Sequence, residues 1–555
     1  MNNNIADLLG AQLATPRRIL YRQFVDGDWR DYSAGDIALL AARWQAAFRR
    51  DGFAPGDRVA IGLRNGIAWV ALDLAALGAG LVVVPLYVDD NADNQAYCIT
   101  NSEARLAVVE TTRLVAAMVR AGVDPARVLC LRSEAGDGQR TVADHLPEAD
   151  APFAVVAVEP ERLATICYTS GTSGRPKGVM LSHGNIRANV DGCRATGMGR
   201  ADDRFLSFLP LSHMFERTGG YYLPLALGAQ VAFSRGVAQL AEDLATQAPT
   251  AVFAVPRVFE RLAVRIRAAV AQSAPKRALL ERCVEAGARV ELGGAGLFDR
   301  LALPLLRRLV ARPVLARLGG RLRLAVLGGA AMDPALSRFF IGLGLPILQG
   351  YGMTEASPVV SVNLLGDNDP DTVGRPLANV EVFLSERGEI LVRGPSVMLG
   401  YWRDAGATAQ AIDRERWLHT GDLGEWRHGR LAIRGRLKDV LVLSNGEKLP
   451  PQDVEIAILG DETFEQLMLI GEGRPFLTLL AVASEQDEKA LVKRANERLK
   501  AFPRYVRVRR AIVASEPWSV ENGLLTPTLK VKRDRVLKRF ASEIDAVYAG
   551  DEPGG

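Results

Sequence analysis

Residues 168–183 read YTSGTSGRPKGVMLSH. Thr169, Ser170, Gly171, Thr172, Ser173 and Gly174 form an unbroken run of hydroxyls and bare backbone, and a cation follows at Lys177. Glycine lets a chain fold back on itself and approach a ligand closely. Successive N–H groups converge on an anion as a nest, hydroxyls add donors, and lysine adds a compact charge. The segment RLATICYTS ahead of the run predicts a buried strand, and VMLSHGNIRANV after it predicts a short strand and then a helix. A flexible Ser/Gly linker is not normally closed by RPKG and bracketed by apolar strands. A Walker loop needs its lysine directly after a glycine and before Ser or Thr. Here Lys177 stands between Pro176 and Gly178, so that pattern fails. The expected chemistry is the cradling of a phosphate group on another architecture.

The chain that must position this loop has 555 residues, too many for one core, so at least two domains are expected. Hydrophobic residues make up 48% and charged residues 24%, ordinary for a soluble globular protein. The 68 Lys and Arg against 64 Asp and Glu leave +4, which argues against a nucleic-acid binder. Five scattered cysteines with no CxxC pair argue against a disulfide framework or a zinc site and point to the cytoplasm. The opening MNNNIADLLGAQ lacks the pattern of a secretory signal. Residues 67–88 are long enough to cross a bilayer. Asp73, Gly78, Gly80 and Pro85 instead predict a buried helix to about Leu77, a glycine turn, and the strand LVVVPL.

From about 57 to 345, short Val/Ile/Leu runs such as DRVAIGL, ARLAVVE, TAVFAVP and LRLAVLGGA alternate with helical patterns such as PALSRFFIGLG. This alternation predicts an α/β fold of layered, mostly parallel sheets. After about 373 the texture changes to short strands with turn signals, which predicts a β-rich subdomain over 373–435. A boundary near 435 separates a large domain, 1–435, from a small α+β tail, 436–555. In the tail a break at Gly446 and Pro450 precedes a helical start at Asp453, and the end is the basic segment LKVKRDRVLKRF.

Five segments in order resemble the adenylate-forming (AMP-binding) synthetases: YTSGTSGRPKG, QGYGMTEASP at 349–358, TGDLGEW at 420–426, GRLKDVLVLSNGEKLPPQDVE at 435–455, and LTPTLKVKR at 525–533. The resemblance covers roughly 160 to 540. It implies a two-step reaction. A carboxylate attacks the α-phosphorus of ATP, giving an acyl-adenylate and pyrophosphate; a thiol, commonly that of coenzyme A, then displaces AMP. The substrate carboxylate is the nucleophile, so the protein's task is positioning and charge neutralisation. It also implies a tail domain that moves as a lid over the larger domain.

On this resemblance Thr169 to Gly174 and Lys177 hold the β- and γ-phosphates. Tyr351 offers a flat face to adenine, with Gly329 and Ala330 approaching from the other side. Thr354 donates to the α-phosphate, and Glu355 is the magnesium ligand, since Mg2+ prefers carboxylate oxygen plus substrate phosphates. Ordinary turn packing is the alternative for Tyr351 and Thr354, and a solvated loop acid for Glu355. Asp422 accepts from the ribose hydroxyls and Arg436 reaches the same ribose; the alternatives are a turn cap and a surface ion pair. Lys438 occupies the hinge position. Lys530 and Lys532 lie two apart, and the family spacing after Thr528 selects Lys530 as the bridge between the attacking carboxylate and the α-phosphate. Lys532, Arg533 and Arg535 read as a solvated face.

LPLSHMFERTGGYY at 209–222, VPRVFERL at 255–262 and the tail motifs resemble the long-chain fatty acyl-CoA synthetase branch. His213 is the acyl-site candidate, with a core histidine as an even alternative. The turn between TGDLGEW and GRLAIRGRLKD is shorter than in relatives. The expected activity is a long-chain fatty acid–CoA ligase using ATP, Mg2+ and coenzyme A. The alternatives are a ligase that loads a carrier protein, an adenylate-forming β-lactone synthetase, and a non-catalytic nucleotide-binding scaffold. Both monomer and homodimer fit the sequence. A cytoplasmic enzyme with peripheral membrane contact is compatible with it, although no amphipathic anchor stands out.

Overall fold

The structure is a computed structural model that describes residues 3–132, 139–169, 175–444, 447–503, 506–519, 522–526 and 531–549. Among the described residues, two large sheets dominate. One has nine strands. Its interior, Ile347–Gly352, Leu324–Leu327, Ala251–Ala254, Arg204–Ser207, Gln230–Phe233 and Ile19–Val25, is parallel throughout. Antiparallel strands close both of its edges. The other has seven strands, with a parallel run from Leu163–Thr169 through Val82–Pro85, Arg58–Gly62 and Leu106–Thr111 to Val128–Arg132.

Side-chain alternation explains why the strands read as unbroken apolar runs. Phe205, Val231, Ala251, Phe253, Leu324 and Val326 face the core shared by both sheets. Their neighbours Leu206, Ala232, Val252, Ala254, Ala325 and Leu327 face a second core beneath the outer helices. Both faces are covered, so no polar alternation survives.

Residues 67–88 form the helix Ile67–Gly78, a turn with Gly80 at φ +75°, and the strand Val82–Pro85, as the sequence predicts. The buried Asp73 on that helix is paired. Arg217 Nη2 donates to its Oδ1, and Tyr221 and Tyr222 hydroxyls donate to its Oδ2 at 3.2 and 2.9 Å. Arg217 Nη1 also donates to Thr165 at 2.9 Å. Against the cost of burial, Asp73 holds the Arg217 guanidinium ionised, above the ordinary arginine range.

The region after 373 is an antiparallel sheet of Glu381–Leu384, Glu389–Arg393, Leu418–Arg427 and Arg430–Arg436. Gly388 turns its first hairpin at φ +78°. In the tail, Phe464–Ile470, Leu477–Ala483 and Val508–Val513 form a three-stranded sheet packed by helices. The first tail helix runs Pro451–Leu459, two residues ahead of the expected start at Asp453, because a proline is accommodated at the first helical position. Arg533 departs from the solvated face expected of it. It donates to Glu455 at 2.7 Å and to the Leu469 carbonyl at 2.7 Å, tying the helix Arg533–Arg539 to the tail's core.

Candidate active site at the strand ends

Parallel α/β sheets bind ligands beyond the carboxyl ends of their strands. Here Leu324–Leu327 is followed by Gly328 and Gly329, the latter at φ +81°, and Ile347–Gly352 carries Tyr351 as its next-to-last residue. Gly352 allows the chain to double back. A Cβ there would lie 2.0 Å from the Pro358 carbonyl oxygen. Thr354, Glu355 and Ala356 follow as a single 3-10 turn.

The Tyr351 hydroxyl donates to Asp422 Oδ2 at 2.6 Å, and Arg436 Nε donates to Asp422 Oδ1 at 2.9 Å. Asp422 and Arg436 are direct partners across the hairpin Leu418–Arg427/Arg430–Arg436, so the β-rich sheet itself delivers both to the end of the large sheet. Burial and the neighbouring Asp422 carboxylate raise the Tyr351 phenol well above its ordinary value. Arg436 is raised as well: burial opposes its charge, and Asp422 outweighs that cost. The Asp422 side chain is 8% exposed and that of Arg436 is 47% exposed, so the cluster opens toward solvent on the arginine side.

A second cluster forms where the paired strands Leu163–Thr169 and Lys177–Ser182 end at Thr169 and Lys177. Thr169 and Lys177 are cross-strand partners, with Lys177 beginning its strand rather than lying within the loop. The Tyr401 hydroxyl donates to Glu355 Oε1 at 2.9 Å, and Lys177 Nζ sits 5.1 Å from the centre of the Tyr401 ring. Burial and the Glu355 carboxylate raise the Tyr401 phenol. Tyr401 is therefore the piece that joins Lys177 to Glu355. The sequence reading missed it, because only the pairing of Gly400–Tyr401 with Lys177–Ser182, far apart in the chain, brings it there. Among the described residues no group of three His, Cys, Asp or Glu side chains forms a cation site. A lone, partly exposed carboxylate with a lysine close by suits Mg2+, which takes its remaining ligands from phosphates and water.

Beneath Tyr351 lies an apolar cavity of about 80 Å³ on the inner face of the nine-stranded sheet, walled by Phe205, Phe215, Phe253, Val326 and Met198. His213 and Gly329 also line it. His213 Nδ1 accepts from the Phe215 backbone N–H at 3.2 Å, which leaves the ring proton of the neutral imidazole on Nε2. His213 thus lines the cavity as well as capping the short helix Met214–Glu216. Glu216, one residue past the Phe215 wall, is sealed from solvent, and burial pushes its carboxyl up to about 8.

The structure brings Gly329, Tyr351 and His213 around one cavity, and Asp422 and Arg436 join it through the Tyr351 hydroxyl. Thr169, Lys177 and Glu355 meet beside Tyr401. Thr354 is next to Glu355, Ala330 follows Gly329, and Lys438 is exposed on the 3-10 turn Leu437–Asp439. The expectations for Ser170, Gly171, Thr172, Ser173, Gly174 and Lys530 lie outside the described residues.

The sequence pattern described as "AMP-binding enzyme" matches residues 12–402, and that described as "AMP-binding enzyme C-terminal domain" matches residues 438–552. Long-chain-fatty-acid–CoA ligase FadD15 of Mycobacterium tuberculosis is 32% identical to this chain over 585 aligned residues, covering 96% of this chain and 95% of the relative. Human long-chain-fatty-acid–CoA ligase 1 is 31% identical, covering 94% of this chain and 82% of the relative. Among solved structures, ATP-bound MatB from Rhodopseudomonas palustris superposes with a TM-score of 0.75 at 22% identity, covering 97% of this chain and 99% of that one. The adenylation domain of a carboxylate reductase from Mycobacterium chelonae gives a TM-score of 0.79 at 21% identity, covering 99% and 91%. Both share the fold of a large N-terminal and a small C-terminal domain. The chain belongs to the AMP-binding enzymes.

Proposed function

For this member of the AMP-binding enzymes, we propose the activity of an ATP-dependent, AMP-forming long-chain fatty acid–CoA ligase. The observation that carries the reading is the junction at Tyr351. An apolar cavity with room for the first methylenes of an acyl chain ends on Tyr351, whose hydroxyl holds Asp422, and Asp422 in turn pairs with Arg436 as a site fit for a nucleotide sugar. The names of the full-length relatives supply the acid class and the thiol.

In the first step the fatty carboxylate oxygen bonds to the α-phosphorus, and the bond to the β-phosphate oxygen breaks. In the second, the sulfur of coenzyme A bonds to the acyl carbon and AMP leaves, with the thiol proton lost to solvent. Asp422 takes the ribose hydroxyls as donors in exchange for part of its bond to Tyr351, and Arg436 steadies it. The Tyr351 ring and the backbone of Gly329 and Ala330 flank the adenine. Thr354 donates to the α-phosphate. Thr169, the run from Ser170 to Gly174, and Lys177 hold the outgoing pyrophosphate, and Tyr401 aligns Lys177 with Glu355. Mg2+ held by Glu355 would supply neutralising charge for the phosphates. Lys530 bridges the carboxylate and the α-phosphate, so it serves the first step alone. His213 guards the mouth of the acyl cavity.

Residues 1–435 are read as the adenylation domain, with its β-rich subdomain at about 373–435. Residues 436–555 are read as a lid that turns about Lys438 between the two steps. The enzyme works in the cytoplasm and meets membranes peripherally to collect its substrate; among the described residues no helix is long and apolar enough to cross one.

The test separates the two half-reactions. Lys530→Ala is expected to lose fatty-acid-dependent exchange of pyrophosphate into ATP by about a thousandfold, yet to convert supplied oleoyl-adenylate and coenzyme A to thioester at close to the wild-type rate. Equal loss of both half-reactions overturns the role given to Lys530.

A further inference from the structure

The strands Ala251–Ala254 and Leu324–Leu327, which both wall the acyl cavity, are connected by a layer of helices on the outer face of the nine-stranded sheet. Its last helical run is Leu297–Leu306, a π-helical turn Arg307–Ala311, and Arg312–Ala316. Leu303 and Leu306 on this run are buried in the outer core. On its other side Leu297, Phe298, Leu301, Leu305 and Leu309 are between 56% and 86% exposed. Positions 297, 301, 305 and 309 recur every four residues, so they align as one stripe along the helix. Single exposed leucines need no explanation, but a contiguous row of five large apolar side chains marks a surface that meets something.

The charge around the stripe narrows what it meets. Residues 256–321 contain fourteen Lys and Arg against five Asp and Glu, a net +9 in a chain whose total is +4. Four of the five acids are already engaged within the layer. Glu285 and Asp299 pair with Arg289, Glu291 with Arg307, and Glu260 with Arg257. Arg300, Arg308, Arg312 and Arg317 are exposed and have no carboxylate partner among the described residues. Apolar side chains in a row, edged by unpaired guanidinium groups, match an interface that is hydrocarbon in its depth and anionic at its rim. A second copy of the same surface would set +9 against +9, which opposes self-pairing.

We propose that the helical run 297–316 docks the protein in the plane of an anionic lipid surface. Leu297, Phe298, Leu301, Leu305 and Leu309 enter the acyl region, and Arg300, Arg308, Arg312 and Arg317 contact lipid phosphates. The proposal deepens the reading of a peripheral enzyme by naming the surface, and its test needs neither ATP nor fatty acid, so the two readings fail separately.

The full-length protein is floated with vesicles of phosphatidylcholine alone, or with about one-third phosphatidylglycerol. Wild type is expected to bind the anionic vesicles about tenfold or more over the neutral ones, and to weaken as salt rises from about 0.1 to about 0.5 M. Leu301→Glu with Leu305→Glu should abolish binding, and Arg308→Gln with Arg312→Gln should remove the preference for anionic lipid. All four side chains are exposed, so the melting temperature should hold. Absence of wild-type binding, or unchanged binding by the leucine variant, overturns the proposal. So does a wild-type dimer, seen by light scattering, that becomes monomeric in the leucine variant with no vesicle binding by either.

Discussion

Asp73 and Asp422 each bind one arginine and at least one tyrosine hydroxyl, yet their surroundings give the same chemistry opposite uses. Asp73, Arg217, Tyr221 and Tyr222 are buried between the two large sheets, and both side chains of the ion pair are wholly inaccessible. Both carboxylate oxygens of Asp73 are committed inside the core. Asp422 is held at the end of a sheet by Tyr351 and by an arginine that is about half exposed. The first cluster clamps the helix Ile67–Gly78 to the segment Arg217–Tyr222 and has nothing left to offer a ligand. The second can exchange a tyrosine hydroxyl for a ribose hydroxyl without leaving a charge unpaired. Access to solvent, rather than residue type, decides which of the two is able to take a ligand.

The sharpest way to break this contrast is to remove one partner from the sealed pair. Arg217→Met leaves the Asp73 carboxylate buried without its counter-charge, which is expected to cost about 3–5 kcal/mol. Urea unfolding should show this as a lowered midpoint with unchanged slope, and Asp73→Leu added to Arg217→Met should recover much of it. A single variant within about 1 kcal/mol of wild type would mean the pair is not the clamp described.

Glu216 supplies the intermediate case, a buried acid with no arginine. Its folded pKa of about 8 lies above the ordinary 4.5. Between those values the unfolded chain releases the proton while the folded chain keeps it. Stability therefore falls as pH rises through that window and levels off above it. Glu216→Gln should gain on wild type by up to a few kcal/mol between about pH 5 and pH 8, at no more than about 1.4 kcal/mol per unit. Parallel stability–pH curves for the two proteins would contradict a neutral Glu216.

The open cluster should respond in function rather than in stability. Asp422→Asn is expected to lower kcat/KM for ATP by about ten- to a hundredfold, the worth of a charged hydrogen bond of about 1.5–3 kcal/mol. Its melting temperature should stay within about 2 °C of wild type, as for a partly exposed pair. A large loss of stability with ATP use intact would make Asp422 a second Asp73.

Much of this layout is readable in the chain because it is local. The helix, turn and strand over residues 67–88 follow from glycine placement and apolar runs, and the motifs beginning at Tyr168, Gln349 and Gly435 fall where strands end. Pairings distant in sequence are not readable. Asp73 argues against a membrane span in the sequence, but its partner lies 144 residues away. Tyr401 is ordinary strand texture until it pairs beside Lys177 and Glu355. Arg533 looks solvated until Glu455 packs against it. The stripe at 297–309 escapes detection for a different reason. Leu303 and Leu306 make the helix apolar on its buried side too, so the segment reads as an ordinary core helix. Only the fold separates the covered face from the bare one.

The central claim, that the protein activates a long-chain fatty acid whose carboxyl end sits at the cavity below Tyr351 and transfers it to coenzyme A, is tested most directly by thioester formation. Purified protein is given ATP, Mg2+ and coenzyme A with acids from acetate to oleate. The account predicts oleoyl-CoA and AMP in equal amounts, with kcat/KM rising along the series to at least about a hundredfold over acetate, as burial of successive methylenes requires. Pyrophosphate released without thioester, a preference for acetate, or no acid-dependent turnover of ATP would contradict it.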